Sequence, residues 1–432
     1  MKVVLGLMVF VVSAVQVPAI ASNDTWPQWR GPAADGTVLK GNPPMQWGDN
    51  QNIRWKKEIP GLGLATPVIW GDQLFLLTAV SAGDDPAEGS DWMRKKEPDA
   101  VHSFQVMSLN RHSGEVLWTQ TAITEKPHES THGDGSWASL SPVTDGKVLV
   151  ASFGSRGIFC YDLDGKLLWN KDLGDMRTRN GFGEGSSPVL ANGMVIVNWD
   201  HEDQSFIVAL DAKTGEKRWR KERDEPTSWS TPIVGEVDGK MQVMVSATNA
   251  IRGYDLETGE ELWWCAGMTL NTIPTPIFRD GILYAASGFR GNNVMALNLR
   301  GAKGNLDGTP HVLWNLKENT PYVPSMVLVD KYLYMLKENR AILTCVDVSN
   351  GTVVFGPERL EGLSGVYASP LAVNDKVYLL GRDGAAMVLN SGPALEVLAT
   401  NTLSDKFDAS PAVVGDALYL RGRKYLFCVS AP

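Results

Sequence analysis

Seven short turns in this 432-residue chain carry a basic side chain at one recurring place: Arg156, His201, Arg252, Arg290, Arg340, Arg382 and Arg423. Lys and Arg number only 40 in the whole chain, too few for every such turn to hold one by chance. A guanidinium offers a planar fork of donors to carboxylate, phosphate or sulfate, so a ring of these side chains would form an anion-binding rim. The competing reading is a turn residue copied with a repeat and left facing solvent. A second series, Trp137, Phe182, Trp229, Tyr322, Tyr367 and Phe407, lies just before a set of Pro-containing strand starts. These rings either pack between neighbouring strands or offer stacking surfaces to a sugar or planar cofactor. Arg177-Thr178-Arg179-Asn180-Gly181-Phe182-Gly183-Glu184-Gly185 is the richest segment, because its glycines allow the backbone close to a ligand. The candidate ligand-binding residues are therefore Arg156, Arg177, Arg179, Phe182, Trp229, Arg252, Arg290, Tyr322, Arg340, Tyr367, Arg382 and Arg423.

Other chemistries find less support. His128 and His132, with Glu129 and Asp134, have the spacing of metal ligands on one helix face, but Gly133 and Gly135 make a helix there a poor expectation. No Asp-rich calcium loop, Gly-x-Ser-x-Gly elbow or phosphate-cradling loop occurs, and no catalytic residue or metal ligand is assigned.

The elements that must position these residues follow from an internal repeat. Strand starts recur at Pro67, Pro142, Pro188, Pro232, Pro276, Met326, Pro370 and Pro411, each preceded by Ser or Thr. Each is followed by Gly- or Asp-containing turns and short apolar runs. The most specific unit, Asp211-Ala-Lys-Thr214-Gly215-Glu-Lys-Arg-Trp219, returns as Asp255-Leu-Glu-Thr258-Gly259-Glu-Glu-Leu-Trp263, with weaker copies ending at Trp118, Trp169, Trp314 and Phe355. Asp caps the turn, Gly takes positive φ, and Trp lands on a face that can pack into the next repeat. Four short strands per repeat make one blade, so the expectation is an all-β, eight-bladed β-propeller of four-stranded antiparallel blades. The last repeat has room for three strands only, while Asn52 to Ile59 resembles a fourth strand with its Trp; the N-terminal strand should therefore complete the C-terminal blade and remove two exposed edges. In such a ring, the basic turns and the aromatic-bearing loops share one face.

Composition agrees with a folded, export-type chain. Hydrophobic residues make up 43% and charged residues 21%, which excludes disorder; a net charge of −9 gives no reason to expect nucleic acid as partner. Residues 1–21 read as a signal peptide: Lys2, an apolar run, then Ala19-Ile20-Ala21 before the cleavage point, with an uncleaved anchor as the alternative. Residues 22–50 form an N-terminal extension and 51–432 the propeller. A periplasmic or secreted location follows, with no transmembrane domain in the mature chain. Cys160, Cys345 and Cys428 occupy the same place in their repeats and should be buried small hydrophobes; a disulfide involving Cys265 is the alternative.

The Asp-x-x-Thr-Gly-x-x-x-Trp repeats, the Ser-Pro strand starts and Trp26-Pro27-Gln28-Trp29-Arg30-Gly31-Pro32 together resemble exported bacterial proteins with PQQ-like propeller repeats. That superfamily holds quinoprotein dehydrogenases, which oxidise alcohols or sugars with pyrroloquinoline quinone (PQQ) and calcium, and the non-enzymatic assembly factor BamB, a lipoprotein. The resemblance implies the propeller and leaves two functions. The favoured one is a non-catalytic envelope scaffold whose channel mouth binds an envelope protein or an anionic glycan or peptide. The alternative is a PQQ/calcium-dependent dehydrogenase. Against the alternative, the adjacent cysteines typical of those enzymes are missing; against close equivalence with BamB, so is the lipid-attachment Cys.

Overall fold

A computed structural model describes residues 24–83, 95–337 and 340–431; the expected signal peptide lies outside them. Eight sheets, each with four core strands, follow one another around an axis, and the chain is an eight-bladed β-propeller. The blades start at inner strands Val68–Trp70, Val143–Thr144, Val189–Ala191, Ile233–Val237, Ile277–Arg279, Val327–Val329, Leu371–Val373 and Ala412–Val414. In blade 8, Ile53–Glu58 pairs antiparallel with Tyr425–Val429 and closes the ring as expected.

Burial follows from the stacking of blades. Met194–Trp199 is buried at every residue because neighbouring blades cover both faces, whereas the outer Lys217–Glu222 buries only Trp219. The apolar core is consequently a series of slabs between adjacent blades, such as Val143–Ala212 residues of blades 2 and 3, rather than one central mass.

The repeated turn explains how slabs are joined. Asp211 Oδ1 accepts hydrogen bonds from the backbone N–H of Lys213 and Thr214, both 3.0 Å, and Asp255 repeats this with Glu257 and Thr258. Gly215 and Gly259, each at φ 71°, then present a bare Cα to the Trp of the preceding blade: a Cβ on Gly259 would come within 2.5 Å of Trp219. Each indole N–H reaches a carbonyl in the same turn, Trp169 to Ala212 and Trp219 to Leu256, both at 2.9 Å. Trp55, Trp118 and Trp314 do likewise with Arg111, Leu163 and Val348. Trp263 departs from the pattern, donating to Gln242 of its own blade, because the turn of blade 5 is expanded and lays Gly304–Asn305 along the outer edge of blade 4.

Register also accounts for three of the four cysteines. Opposite the outer aromatic stands a small residue: Ser108, Cys160, Ala209, Gly253, Ala296, Cys345 and Cys428 face Trp118, Trp169, Trp219, Trp263, Trp314, Phe355 and Trp55. In blade 7 the pair is inverted to Val388 and Ala399, and the aromatic is supplied from the extension by Trp47, stacked on Tyr378 at 6.4 Å. All four cysteines are buried and free.

Rather than trailing free, residues 24–48 run beneath the ring. Thr25–Trp26 pairs with the inner strand of blade 1, Pro27 accepts from the Thr144 N–H of blade 2, and Thr37–Val38 lies parallel to the inner strand of blade 7. Arg30 is buried and donates to the carbonyls of Pro370 at 2.5 Å and Met326 at 2.7 Å, where the inner strands of blades 7 and 6 begin. Its burial lowers the guanidinium pKa to about 10, with the Asp35 charge opposing the shift.

Gly193 has φ 72° and open space where a methyl group would project, so it separates backbone strain from contact with Trp. Gly193→Ala should cost roughly 1–2 kcal/mol from left-handed strain alone. Gly259→Ala should cost about 1–3 kcal/mol more, because the methyl must also displace Trp219. Denaturant midpoints of the two variants measure the difference, and equal midpoints would show that the Trp contact contributes nothing.

Candidate binding site

The Ser or Thr before the inner strand lines the channel in blades 2 to 8, and these hydroxyls, with that of Thr66 in blade 1, tie the blades together. The backbone N–H of Thr66 donates to Ser141 Oγ at 3.0 Å, Ser141 to Ser187 at 2.9 Å, and Ser187 to Thr231 at 3.0 Å. The series resumes with Thr275 to Ser325, Ser325 to Ser369 and Ser369 to Ser410. The Thr66 hydroxyl donates to the Ser410 carbonyl and joins blade 1 to blade 8. Pro in the following position has no N–H to satisfy and holds its predecessor extended, which suits a ring where one donor per blade is used circumferentially. Between blades 4 and 5 the Thr275 hydroxyl instead accepts the indole N–H of Trp29 at 2.8 Å. Trp29 thereby forms a floor, and above it lies a cavity of about 320 Å³.

Of the sequence candidates, Phe182, Trp229, Tyr322 and Tyr367 line this cavity. Trp229 is oriented by an indole N–H donated to the Gly183 carbonyl at 2.7 Å, and Tyr322 stacks on Phe289 with centroids 5.0 Å apart. Trp137 and Phe407 do not line it: Trp137 packs on His102, and Phe407 is fully buried against Phe427.

The arginines take a different place. None contributes to the cavity lining, and most are held by carboxylates. Arg156 pairs with Glu125 at 2.8 Å and Asp175 at 2.6 Å, Arg177 with Asp203 at 2.6 Å, and Arg179 with Glu202 at 3.3 Å. Arg252 pairs with Glu225 at 3.1 Å and Glu261 at 3.0 Å. Arg290 and Arg340 are exposed, the former 5.5 Å from the Phe289 ring. His201 accepts the Arg177 N–H within its own loop cluster.

Arg382 and Arg423 build the most connected part of the mouth. Arg382 bonds Asp134 at 2.7 Å and Asp408 at 2.5 Å, Arg423 bonds Asp408 at 2.7 Å, and the Tyr367 hydroxyl donates to Asp134 at 3.0 Å. Arg382 also lies 3.9 Å over the Tyr367 ring. Burial disfavours the Asp134 charge, yet the Arg382 hydrogen bond and charge outweigh it and hold the carboxyl below its usual range. Asp134 comes from the loop leading into blade 2, whereas Arg382 and Arg423 belong to blades 7 and 8, so this network spans the channel. His132 sits in a two-residue strand with Thr131, paired to Lys95–Lys96, and so is not on a helix face. His128 instead contacts the Met176 carbonyl.

Comparison with known proteins places this geometry. The family model described as outer membrane protein assembly factor BamB matches residues 102–356, more than half of the chain. The chain belongs to the BamB family. It is 23% identical over 319 residues to the outer membrane protein assembly factor BamB of Shewanella oneidensis, covering 72% of this chain and 73% of that protein. Among solved structures, BamB from Moraxella catarrhalis superposes with a TM-score of 0.58 at 14% identity, covering 87% and 98% of the two chains. The quinohemoprotein alcohol dehydrogenase of Comamonas testosteroni gives 0.62 at 12% identity, covering 96% and 82%. At such identities the structural likeness is one of fold.

The dehydrogenase likeness raises PQQ with calcium, and the donor set in this BamB-family channel does not suit that pair. PQQ is a tricarboxylate, but no Arg or Lys lines the cavity, and Arg382 and Arg423 already serve Asp134 and Asp408. Among the described residues no three His, Cys, Asp or Glu are grouped to hold a metal ion.

Sequence reasoning missed Trp29, Phe289 and Asp408 as lining residues, because none belongs to a repeated position read as functional. Glu184 was legible only as part of its glycine-rich loop. Its carboxylate packs on Gly154 and accepts from Ser155 N–H at 2.9 Å and Ser155 Oγ at 2.5 Å. Burial pushes its pKa up to about 7, against the opposing Ser155 hydrogen bonds. The folded state therefore retains a proton that the unfolded chain, at an ordinary 4.5, has lost. This contribution to stability is complete below the unfolded pKa and declines as pH rises to about 7. Glu184→Gln should flatten the fall in thermal midpoint between these pH values, and an unchanged slope would show that Glu184 titrates normally.

Proposed function

We propose that this chain is an exported, non-catalytic protein of the cell envelope whose propeller serves as a binding scaffold. Membership of a family named for outer membrane protein assembly supports the scaffold role. The observation that carries it is the network joining Asp134, Tyr367, Arg382, Asp408 and Arg423 across the mouth, which fixes loops from blades 2, 7 and 8 as one preorganised face. No helix among the described residues is long and apolar enough to cross a membrane. Export rests on the N-terminal segment of the sequence.

The ligand or partner reading is an envelope protein, or an anionic glycan or peptide, met by the cationic loops. Ion pairing does not remove Arg177 from play, since its pair with Asp203 is exposed on both sides and can exchange its carboxylate for that of a partner at little cost. Arg177 is exposed beside blade 3, and Arg290 and Arg340 stand exposed on the adjacent blades 5 and 6.

Dextran sulfate serves as a polyanionic probe. The mature chain should retain it at low salt and lose it as salt rises, and Arg177→Ala with Arg290→Ala should weaken retention at least several-fold. Retention unchanged by the double substitution would sink the cationic-mouth reading. Stoichiometric retention of added PQQ and calcium, with dye reduction by alcohols or sugars, would overturn the non-catalytic reading.

A further inference from the structure

We infer that the axial cavity above Trp29 is a binding site for an uncharged sugar residue, distinct from the cationic loops around it. Trp29, bonded to Thr275, forms part of its wall, together with residues of the mouth loops such as Phe182, Trp229 and Tyr367. At about 320 Å³ the well lies at the lower end of the range for small-molecule sites, sufficient for a pyranose ring or a disaccharide.

Its chemistry selects among ligands by charge. The ionisable lining groups are Asp134, Glu184, Asp408 and His132, beside the phenols of Tyr322 and Tyr367, with no Lys or Arg. An anion would therefore meet the Asp134 and Asp408 carboxylates with no Lys or Arg in the wall to offset them. A cation would gain little, because Asp134 and Asp408 are already neutralised by Arg382 and Arg423 from behind the wall. An ion-paired carboxylate still has lone pairs to spare for hydroxyl donors. Asp408 is held by both guanidiniums with its side chain only 3% exposed, so it is a fixed acceptor rather than a mobile charge.

Flat apolar surfaces complete the set. Trp229, fixed by Gly183, and Tyr322, stacked on Phe289, present oriented rings to the same well. The C–H face of a pyranose packs on such rings, while its rim of hydroxyls both donates and accepts. Hydroxyls of Ser139, Ser325 and Ser369 in the wall can answer both roles. A purely apolar ligand would leave these carboxylates and hydroxyls unmatched.

Isothermal titration of the mature chain with glucose, galactose, mannose, N-acetylglucosamine, maltose and cellobiose tests the site, with glucuronic acid and glucosamine as charged comparators. At least one neutral sugar should bind, and at least ten-fold more tightly than either comparator. Trp229→Ala and Tyr322→Ala should each weaken it ten-fold or more while circular dichroism remains that of the parent. Absence of heat with every neutral sugar, tighter binding of a charged comparator, or affinity indifferent to both aromatic substitutions in folded protein would each overturn the inference. Sugar binding and dextran sulfate retention are read on separate variants, so failure of either leaves the other standing.

Discussion

Each blade is buried on both faces, so the fold depends on how one sheet grips the next, and the grip is the fourth-strand tryptophan seated on the glycine of the following turn. The indole needs a flat approach and a carbonyl acceptor, and the capped Asp turn supplies both. That demand propagates inward: across the ladder the third strand must carry a small side chain, which is why Cys160, Cys345 and Cys428 stand where Ala209 or Gly253 stand elsewhere. The exception supports the rule. Blade 7 has Ala399 in place of the aromatic, carries the larger Val388 opposite it, and borrows Trp47 from the extension.

Around the axis a second system does the corresponding work with hydrogen bonds. Backbone donors facing a channel cannot be left unpaired cheaply, and the anchoring hydroxyl of the next blade satisfies one such donor in six of the eight repeats. Interruption of this series at Thr275 is where Trp29 enters. The N-terminal segment therefore belongs to the site as well as to the fold: Arg30 spends its donors on inner-strand carbonyls of blades 6 and 7, and its neighbour floors the well.

Electrostatics at the mouth are arranged in the same cooperative way. Arginine in successive turns would repel if left alone on a narrow rim, and acidic residues from adjoining loops offset that repulsion. The outcome is a rim of paired charges surrounding a well lined by rings, hydroxyls and carboxylates. Guanidinium groups set the positions of Asp134 and Asp408 without themselves entering the lining.

The repeat alone determined the blade number, the strand phase, the closing strand and the burial of the cysteines, because each depends on a short-range pattern copied with every blade. Phe182, Trp229, Tyr322 and Tyr367 were readable from their place before a strand start, but Trp137 and Phe407 share that place and pack elsewhere, so the pattern named the set and not its members. What only the tertiary structure decided involves residues outside the repeat or partners far apart in the chain. Nothing in Trp26 to Pro32 says that it runs beneath the ring, and no spacing relates Asp134 to Arg382, 248 residues away. Local sequence specifies what a side chain can do, whereas closure of the ring brings one blade's acid to another blade's base and so settles which groups face the channel.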